Sequence, residues 1–497
     1  MEFLELLQNI MNFECLSLIL IGVIIGNVFG CIPGLNGPIA VALILPVTFS
    51  LEVIPSMSLI MGIYMGSVTG GLVSAILLKI PGTAASVATT FDGYPMTQNG
   101  RAADALSIGA FASVFGGLFS AVVLLFLAPT LSSMAIAFGP WEYFGTAVLS
   151  LSLVCSMMSG KRLKGFIAMM IGLLLTTVGM SPVDGIASRY TFGLSGLENG
   201  FDLVVVIIGV FALPEIIYSL GNISDKPVPA QVEKKWFYAP KLSSIKKNFK
   251  VMLQGSFLGT AIGILPGMGG GAAGLISYEQ AKRSSKTPEK FGTGHEAGIY
   301  SCESANNATT GGALVPMLAL GVPGDTVTAI IMGAIALQGL TPGPTLSMQQ
   351  PELFRTIILI VFVANIFMYL YQATTIRFMA KIIDIPKYLL FPIVAVFCAI
   401  GVISINNSMF DLMYLLVFVI IGYILDKNNY PLSPFILAIV LGGIVEDNLR
   451  RSIIYYGSFT ESLKQPSIGT VFFILSLCIP FIMYLLDKRK AKQTSAL

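Results

Sequence analysis

The sequence predicts an all-α polytopic membrane protein of about 11 spans plus broken or re-entrant helices, arranged as two homologous halves of inverted topology. Three observations carry that expectation. The chain of 497 residues is 55% hydrophobic and 11% charged, against about 25% charged in a soluble domain, so it has too little charge to cover its cores with water-facing surface. Apolar stretches of about 20 residues, the length that crosses about 30 Å of hydrocarbon, recur along it. A glycine and Pro-Gly pattern also occurs twice at one interval.

The simple spans fall near 56–79, 104–128, 140–159, 165–181, 203–220, 300–321, 353–374, 388–405, 409–425, 431–446 and 469–486. Two further apolar regions, 15–51 and 251–278, are interrupted by Pro-Gly. The N-terminus carries Glu2, Glu5 and Glu14 with no Lys or Arg, so it lacks the positive region of a cleavable signal, and the first apolar segment is expected to stay in the mature protein. The six cysteines are scattered without CxxC spacing and read as small core residues, not as metal ligands.

Lys and Arg collect on the cytoplasmic side of membrane proteins. Residues 221–250 hold seven lysines against Asp225 and Glu233, which makes this stretch a cytoplasmic linker between a first transmembrane repeat, 1–220, and a second, 251–486. Lys161, Arg162 and Lys164, then Arg377, Lys381 and Lys387, and the basic tail 487–497 fall on the same side. Segments 182–202 and 406–411 then lie outside, giving an external N-terminus and an internal C-terminus. A net charge of +3, dispersed between apolar blocks, points to no nucleic acid partner.

Gly22, Gly26, Gly30, Pro33, Gly34 and Gly37 recur as Gly255, Gly259, Gly263, Pro266, Gly267 and Gly270, each 233 residues later. A second pair of breaks follows at Pro81-Gly82 and Pro323-Gly324, whose prolines differ by 242. Glycines four residues apart serve first as close-packing faces between helices. The Pro-Gly breaks demand more, because an unpaired backbone group in lipid costs several kcal/mol unless protein or water satisfies it. Interrupted helices are where carriers bind solutes, since half-helix N-termini aim free N–H groups and a positive dipole end at an anion.

Candidate substrate-binding residues are therefore Pro33, Gly34, Asn36, Gly37, Pro81, Gly82, Thr83, Ser86, Pro266, Gly267, Gly269, Gly270, Asn306, Asn307, Pro323, Gly324 and Thr326. Glu303 and Asp325 are candidates for ion coupling, because ionisable groups inside a membrane are costly. Glu303 has the alternative of sitting on the cytoplasmic rim, just after His295 and Glu296. Asp92, in an Asp-Gly-Tyr-Pro run, reads as capping a turn, and His295 is assigned no role. The flanks of 251–278 are both basic and those of 15–51 are both acidic. Each region is either a hairpin that enters and leaves on one side, or one flank is misassigned.

The segments GCIPGLNGPIAVALILPVTF, AILLKIPGTAASVATTFDGYPMTQNGRAADAL, GILPGMGGG and ESANNATTGGALVPMLALGVPGD resemble the large membrane subunit of tripartite tricarboxylate transporters, the TctA family. The resemblance runs from about residue 20 to 345 on strong motifs, and by hydropathy to the end. It implies gradient-driven uptake of an organic carboxylate across a bacterial inner membrane, coupled to H⁺ or Na⁺. It also implies two partners, a small TctB-like membrane subunit of about four helices and a periplasmic TctC-like solute-binding protein, with no ATPase. The family often has Asn where this chain has Lys79; a cation there could pair with substrate or reach for the interface.

Other functions lack residues. No GxSxG, HExxH or GxxxxGK[ST] occurs and there is one His, which leaves no catalytic residue set, no metal site, no cofactor and no nucleotide motor to assign. An anion-selective channel is the alternative, because duplicated re-entrant loops also build pores.

Overall fold

In a computed structural model the chain is described at residues 10–32, 34–158, 161–181, 188–214, 235–382 and 408–494, with a few positions at 217 and between 392 and 403. Pro33, the Lys-rich stretch 221–234, most of the expected span 388–405 and the side chains of the basic tail lie outside the described residues.

The first half opens with α1 (Phe13–Cys31), α2 (Gly37–Thr48), α3 (Val53–Leu78), α4 (Thr89–Gln98) and α5 (Ala102–Ala135). It continues through α6 (Pro140–Met157), α7 (Arg162–Leu175) and α8 (Leu203–Ile207), which runs on as a π-turn over Ile208–Ala212. The second half holds α9 (Leu242–Ile264), α10 (Gly269–Ser284), α11 (Glu296–Leu320), α12 (Thr326–Leu337), α13 (Pro344–Gln349) and α14 (Pro351–Ile382). It ends with α15 (Met409–Lys427), α16 (Leu432–Tyr456), α17 (Phe459–Lys464) and α18 (Ile468–Thr494).

Helix dominates because in lipid only a helix satisfies its own backbone. Six described helices, α1, α3, α5, α14, α15 and α16, are long and apolar enough to cross a membrane. The expected span 165–181 is shorter than predicted. After Leu175 the β-branched Thr176, Thr177 and Val178 lead to Gly179 at φ +107°, and Gly179–Met180 pairs antiparallel with Ser188–Arg189.

The twofold pattern in the sequence is a packing pattern. A side chain at Gly22, Gly26 or Gly30 of α1 would strike the backbone carbonyls of Leu59, Ile63 or Ser67 on α3. In the second half Gly255, Gly259 and Gly263 of α9 meet the carbonyls of Ser301, Ala305 and Thr309 on α11. The glycines differ by 233 and the carbonyls by 242, the same two intervals that relate the Pro-Gly breaks. Missing Cβ atoms let the backbones approach to van der Waals contact, which drives association where lipid tails are as apolar as the helices.

These contacts also fix direction. Positions on α1 and α3 rise together, so the two helices run parallel and α2, whose first residue Gly37 lies against Ser67, runs back between them. The same holds for α9, α10 and α11. α5 runs parallel to α11, as the contacts of Gly116 with Ser304 and of Gly311 with Ser120 require. α14 runs parallel to α3, with Asn365 at 3.5 Å from Met65 Sδ and Gln372 at 3.3 Å from the Thr69 carbonyl. α5 and α14, which follow the second break in their halves, are antiparallel: Phe111 faces Tyr369 while Gly117 faces Asn365.

α3 lies at the centre, nine-tenths buried. α15 and α18 leave Met413, Leu416, Ile420, Val471, Ile474 and Phe481 exposed on the outside, as lipid-facing helices do.

Candidate functional site

The interrupted helices converge on one cavity of about 470 Å³. Its walls come from all four breaks: Asn36 and Gly37 at the start of α2, Thr83 to Ala85, Gly267 to Gly271 at the start of α10, and Asp325 to Val327 at the start of α12. Tyr64 and Ser67 of α3 and Asn306 and Thr309 of α11 line it as well. The wall is paired by the two intervals: Asn36 with Gly269 and Gly37 with Gly270 at 233, Tyr64 with Asn306, Ser67 with Thr309 and Thr83 with Asp325 at 242. Contacts across the halves are reciprocal too, since Gly37 lies against Val327 and Gly270 against Ala85. The cavity wall therefore draws matching positions from the two halves of the chain.

Not every candidate from the sequence reaches it. Gly34, Pro81 and Gly82 line a neighbouring cavity of about 210 Å³ that shares Asn36 and Thr83 with the first. Pro266, Pro323 and Gly324 form the turns behind the wall, where the Gly267 N–H donates to the Gly324 carbonyl at 2.8 Å and ties two breaks together. Ser86 is buried and accepts from the Thr83 N–H at 3.3 Å. Asp325 and Thr328, at the equivalent positions, repeat that bond at 2.9 Å.

The three helix starts differ in how their N–H groups are used. Asn36 Oδ1 accepts from the Ile39 N–H at 3.1 Å and Asp325 Oδ1 from the Thr328 N–H at 2.7 Å. α10 has no side-chain cap and begins with Gly269, Gly270 and Gly271, which line the cavity, and the first-turn amides of a helix have no partner within it. A helix start of this kind binds anions. The Asp325 carboxylate is occupied on its other oxygen, where the Tyr64 hydroxyl donates at 2.6 Å.

Glu303 and Asn307 lie one layer behind the wall. Glu303 is completely buried. Its carboxylate takes a close hydrogen bond from the Thr89 hydroxyl and further donors from Ser113 at 3.2 Å, Asn307 at 3.4 Å and Asn306 at 3.5 Å. Asn307 also joins the halves, accepting from the Thr69 hydroxyl at 2.7 Å. Among the described residues no group of three His, Cys, Asp or Glu could hold a metal ion.

Asp92 corrects the sequence reading. Its Asp-Gly-Tyr-Pro run lies inside α4, not in a turn. The carboxylate reaches into the second half, accepting from the N–H groups of Gly292, Gly294 and His295 at 2.7 to 2.9 Å and from the Tyr278 hydroxyl at 2.8 Å. Four donors from another segment override local turn propensity, which is a weak preference. His295 caps α11, stacks on Phe291 and is held below its ordinary pKa by burial. Beside it, Ser244 and Arg101 hydrogen-bond Glu296 and keep its carboxyl below the usual range, although burial alone would raise it.

Lys79 is exposed, with its ammonium 5.8 Å from the Tyr94 ring centre, and is absent from the cavity wall. It ends α3 in the left-handed conformation at φ 60°. Gly321, 242 residues later, ends α11 the same way at φ 71°, the left-handed conformation in which helices commonly close on Gly or Asn.

Sequence reasoning missed Tyr64, Ser67, Thr89 and Ser113. The first two carried a readable signal, since moving Asn306 and Thr309 back by the 242 interval lands on them. Thr89 and Ser113 carried none, because only the tertiary fold brings them to Glu303.

A profile of the family described as "Tripartite tricarboxylate transporter TctA family" matches residues 16–437. An "Uncharacterized 52.8 kDa protein in TAR-I ttuC' 3'region" of Agrobacterium vitis is 38% identical over 435 residues, covering 87% of this chain and 86% of that protein. An "Uncharacterized protein in TAR-II ttuC' 3'region" of the same organism is 37% identical over 236 residues, 47% of this chain and 97% of that protein. No solved structure matches.

Proposed function

Because the chain belongs to the tripartite tricarboxylate transporter TctA family, we propose that it takes up an organic carboxylate by secondary active transport and binds it in the cavity where its four helix interruptions meet. The observation that carries this reading is the convergence of all four breaks on one space, lined by uncapped amides at Gly269 to Gly271. A multi-pass membrane protein with such a space is suited to moving an anion without altering it covalently.

The finer parts of the proposal rest on the same geometry. The opposite run of α5 and α14 supports halves of inverted topology, with each Pro-Gly hairpin entering from its own face of the inner membrane. Inverted repeats around a shared site support alternating access better than a static anion pore. Glu303 and Asp325 are the coupling candidates, with H⁺ or Na⁺ as the driving ion, since Glu303 is buried just behind the wall and Asp325 lines it. Membership implies a TctB-like membrane subunit and a TctC-like periplasmic binding protein as partners.

The test is counterflow in proteoliposomes holding the chain with its small membrane subunit. Preloaded unlabelled citrate or succinate accelerates entry of the labelled acid if the protein is a carrier. Entry that is unaffected by the internal acid and follows only the gradient identifies a pore.

A further inference from the structure

The correspondence between the halves breaks at the pair Tyr64 and Asp325. Tyr64 and Asp325 bond to each other at 2.6 Å on the cavity wall. Their equivalents at the 242 interval are Asn306 and Thr83, on the wall of the same cavity. Neither Asn306 Oδ1 nor Thr83 Oγ1 has a hydrogen-bond partner among the described residues. Asn306 is completely buried, and a buried polar atom without a partner points to a group that comes from outside the chain.

The orientation of that amide follows from its neighbours. Its nitrogen is 3.5 Å from a Glu303 carboxylate oxygen, which only an N–H can face. Its oxygen lies against Gly270, in the first turn of the uncapped α10. One small region thus offers backbone donors for an anion and, beside them, a single acceptor. A cation is a poor match for that acceptor, because the positive end of the α10 dipole lies next to it.

We infer that Asn306 Oδ1 accepts a hydrogen bond from a hydroxyl on the carbon next to the bound carboxyl group, so that the transported acids are 2-hydroxy carboxylates. The inference rests on the carboxylate reading of the cavity and narrows it. A carboxylate held by the amides of Gly269 to Gly271 brings its adjacent carbon to the acceptor beside Gly270. The Thr83 hydroxyl, which can donate as well as accept, is available for the ligand hydroxyl's own oxygen. Glu303 acts as a positioning residue, fixing the Asn306 amide with its oxygen forward.

The experiment measures binding of two acid pairs to the purified full-length chain by isothermal titration: citrate against tricarballylate, and malate against succinate. Each pair differs by one hydroxyl. The expected result is a preference for the hydroxy acid on the order of 10-fold or more, since a site built to bond a hydroxyl rejects the analogue without it. In Asn306→Ala and in Asn306→Leu that ratio falls to about one, and Glu303→Gln, whose amide can still orient Asn306, retains more of it than Glu303→Leu. Equal affinities within both pairs overturn the hydroxyl inference alone. Binding of none of the four acids overturns the carboxylate reading and this inference with it. A wild-type ratio in the Asn306 variants, with loss of a Na⁺-dependent heat instead, assigns the acceptor to a cation and also overturns it.

Discussion

The Tyr64 hydroxyl donates to the Asp325 carboxylate at 2.6 Å, joining α3 to the start of α12 on the cavity wall. Asp325 is also the N-cap of α12, so this one bond couples the long, buried α3 to the helix start that follows the fourth break. A hydrogen bond to a carboxylate contributes about 1.5–3 kcal/mol. Tyr64→Phe removes it without changing shape, and uptake of labelled carboxylate falls on the order of 10-fold if most of that energy holds the cavity together. Protein amount in the membrane stays near wild type, as immunoblotting of membrane fractions would report. Unchanged uptake in this variant would detach the bond from transport.

Gly34 and Gly267 turn their Pro-Gly breaks at φ +97° and +85°. A side chain there costs about 1–2 kcal/mol in backbone strain, and at Gly267 it also meets Val154. Gly34→Val and Gly267→Val abolish uptake while the protein still reaches the membrane. Wild-type transport by both variants would show that neither break shapes the binding cavity.

Gly26 and Gly443 separate packing from conformational freedom. A Cβ at Gly26 runs into the Ile63 carbonyl, whereas one at Gly443 meets nothing within 4 Å. Gly26→Ala lowers thermal stability by roughly 1–3 kcal/mol equivalent. Gly443→Ala, in the interior of α16, raises it by about 0.5–1 kcal/mol. The check is the melting temperature in detergent, and equal shifts in both variants would contradict the close-packing account.

Lys79 offers a control outside the cavity. Because it ends α3 in a left-handed conformation where the second half has Gly321, Lys79→Gly removes strain and leaves uptake unchanged. A loss of transport would make Lys79 a partner of the substrate.

Much of this architecture is legible in the sequence because it rests on backbone chemistry. The interval of 233 between Gly30 and Gly263 marks both the duplication and the close helix contacts. The Pro-Gly pairs mark where helices stop, since proline withdraws a donor and glycine supplies the positive φ. Side-chain partners across the halves leave no such mark. Asp92 looks like turn chemistry because its donors, Gly292, Gly294 and His295, lie 200 residues or more away in sequence. Nothing near Glu303 in the sequence points to Thr89 and Ser113, whose hydroxyls reach its carboxylate. Tyr64 lacks a motif of its own and becomes visible only as the counterpart of Asn306.

The most direct measurement is a cryo-electron-microscopy map of the full-length protein at saturating citrate. Solute density is expected against the amides of Gly269 to Gly271, within reach of Asn306 and between the four interruptions. Density seated elsewhere, for instance in the separate cavity beside Arg189 and Glu446, with the space between α2, α10 and α12 left unbound, would contradict it.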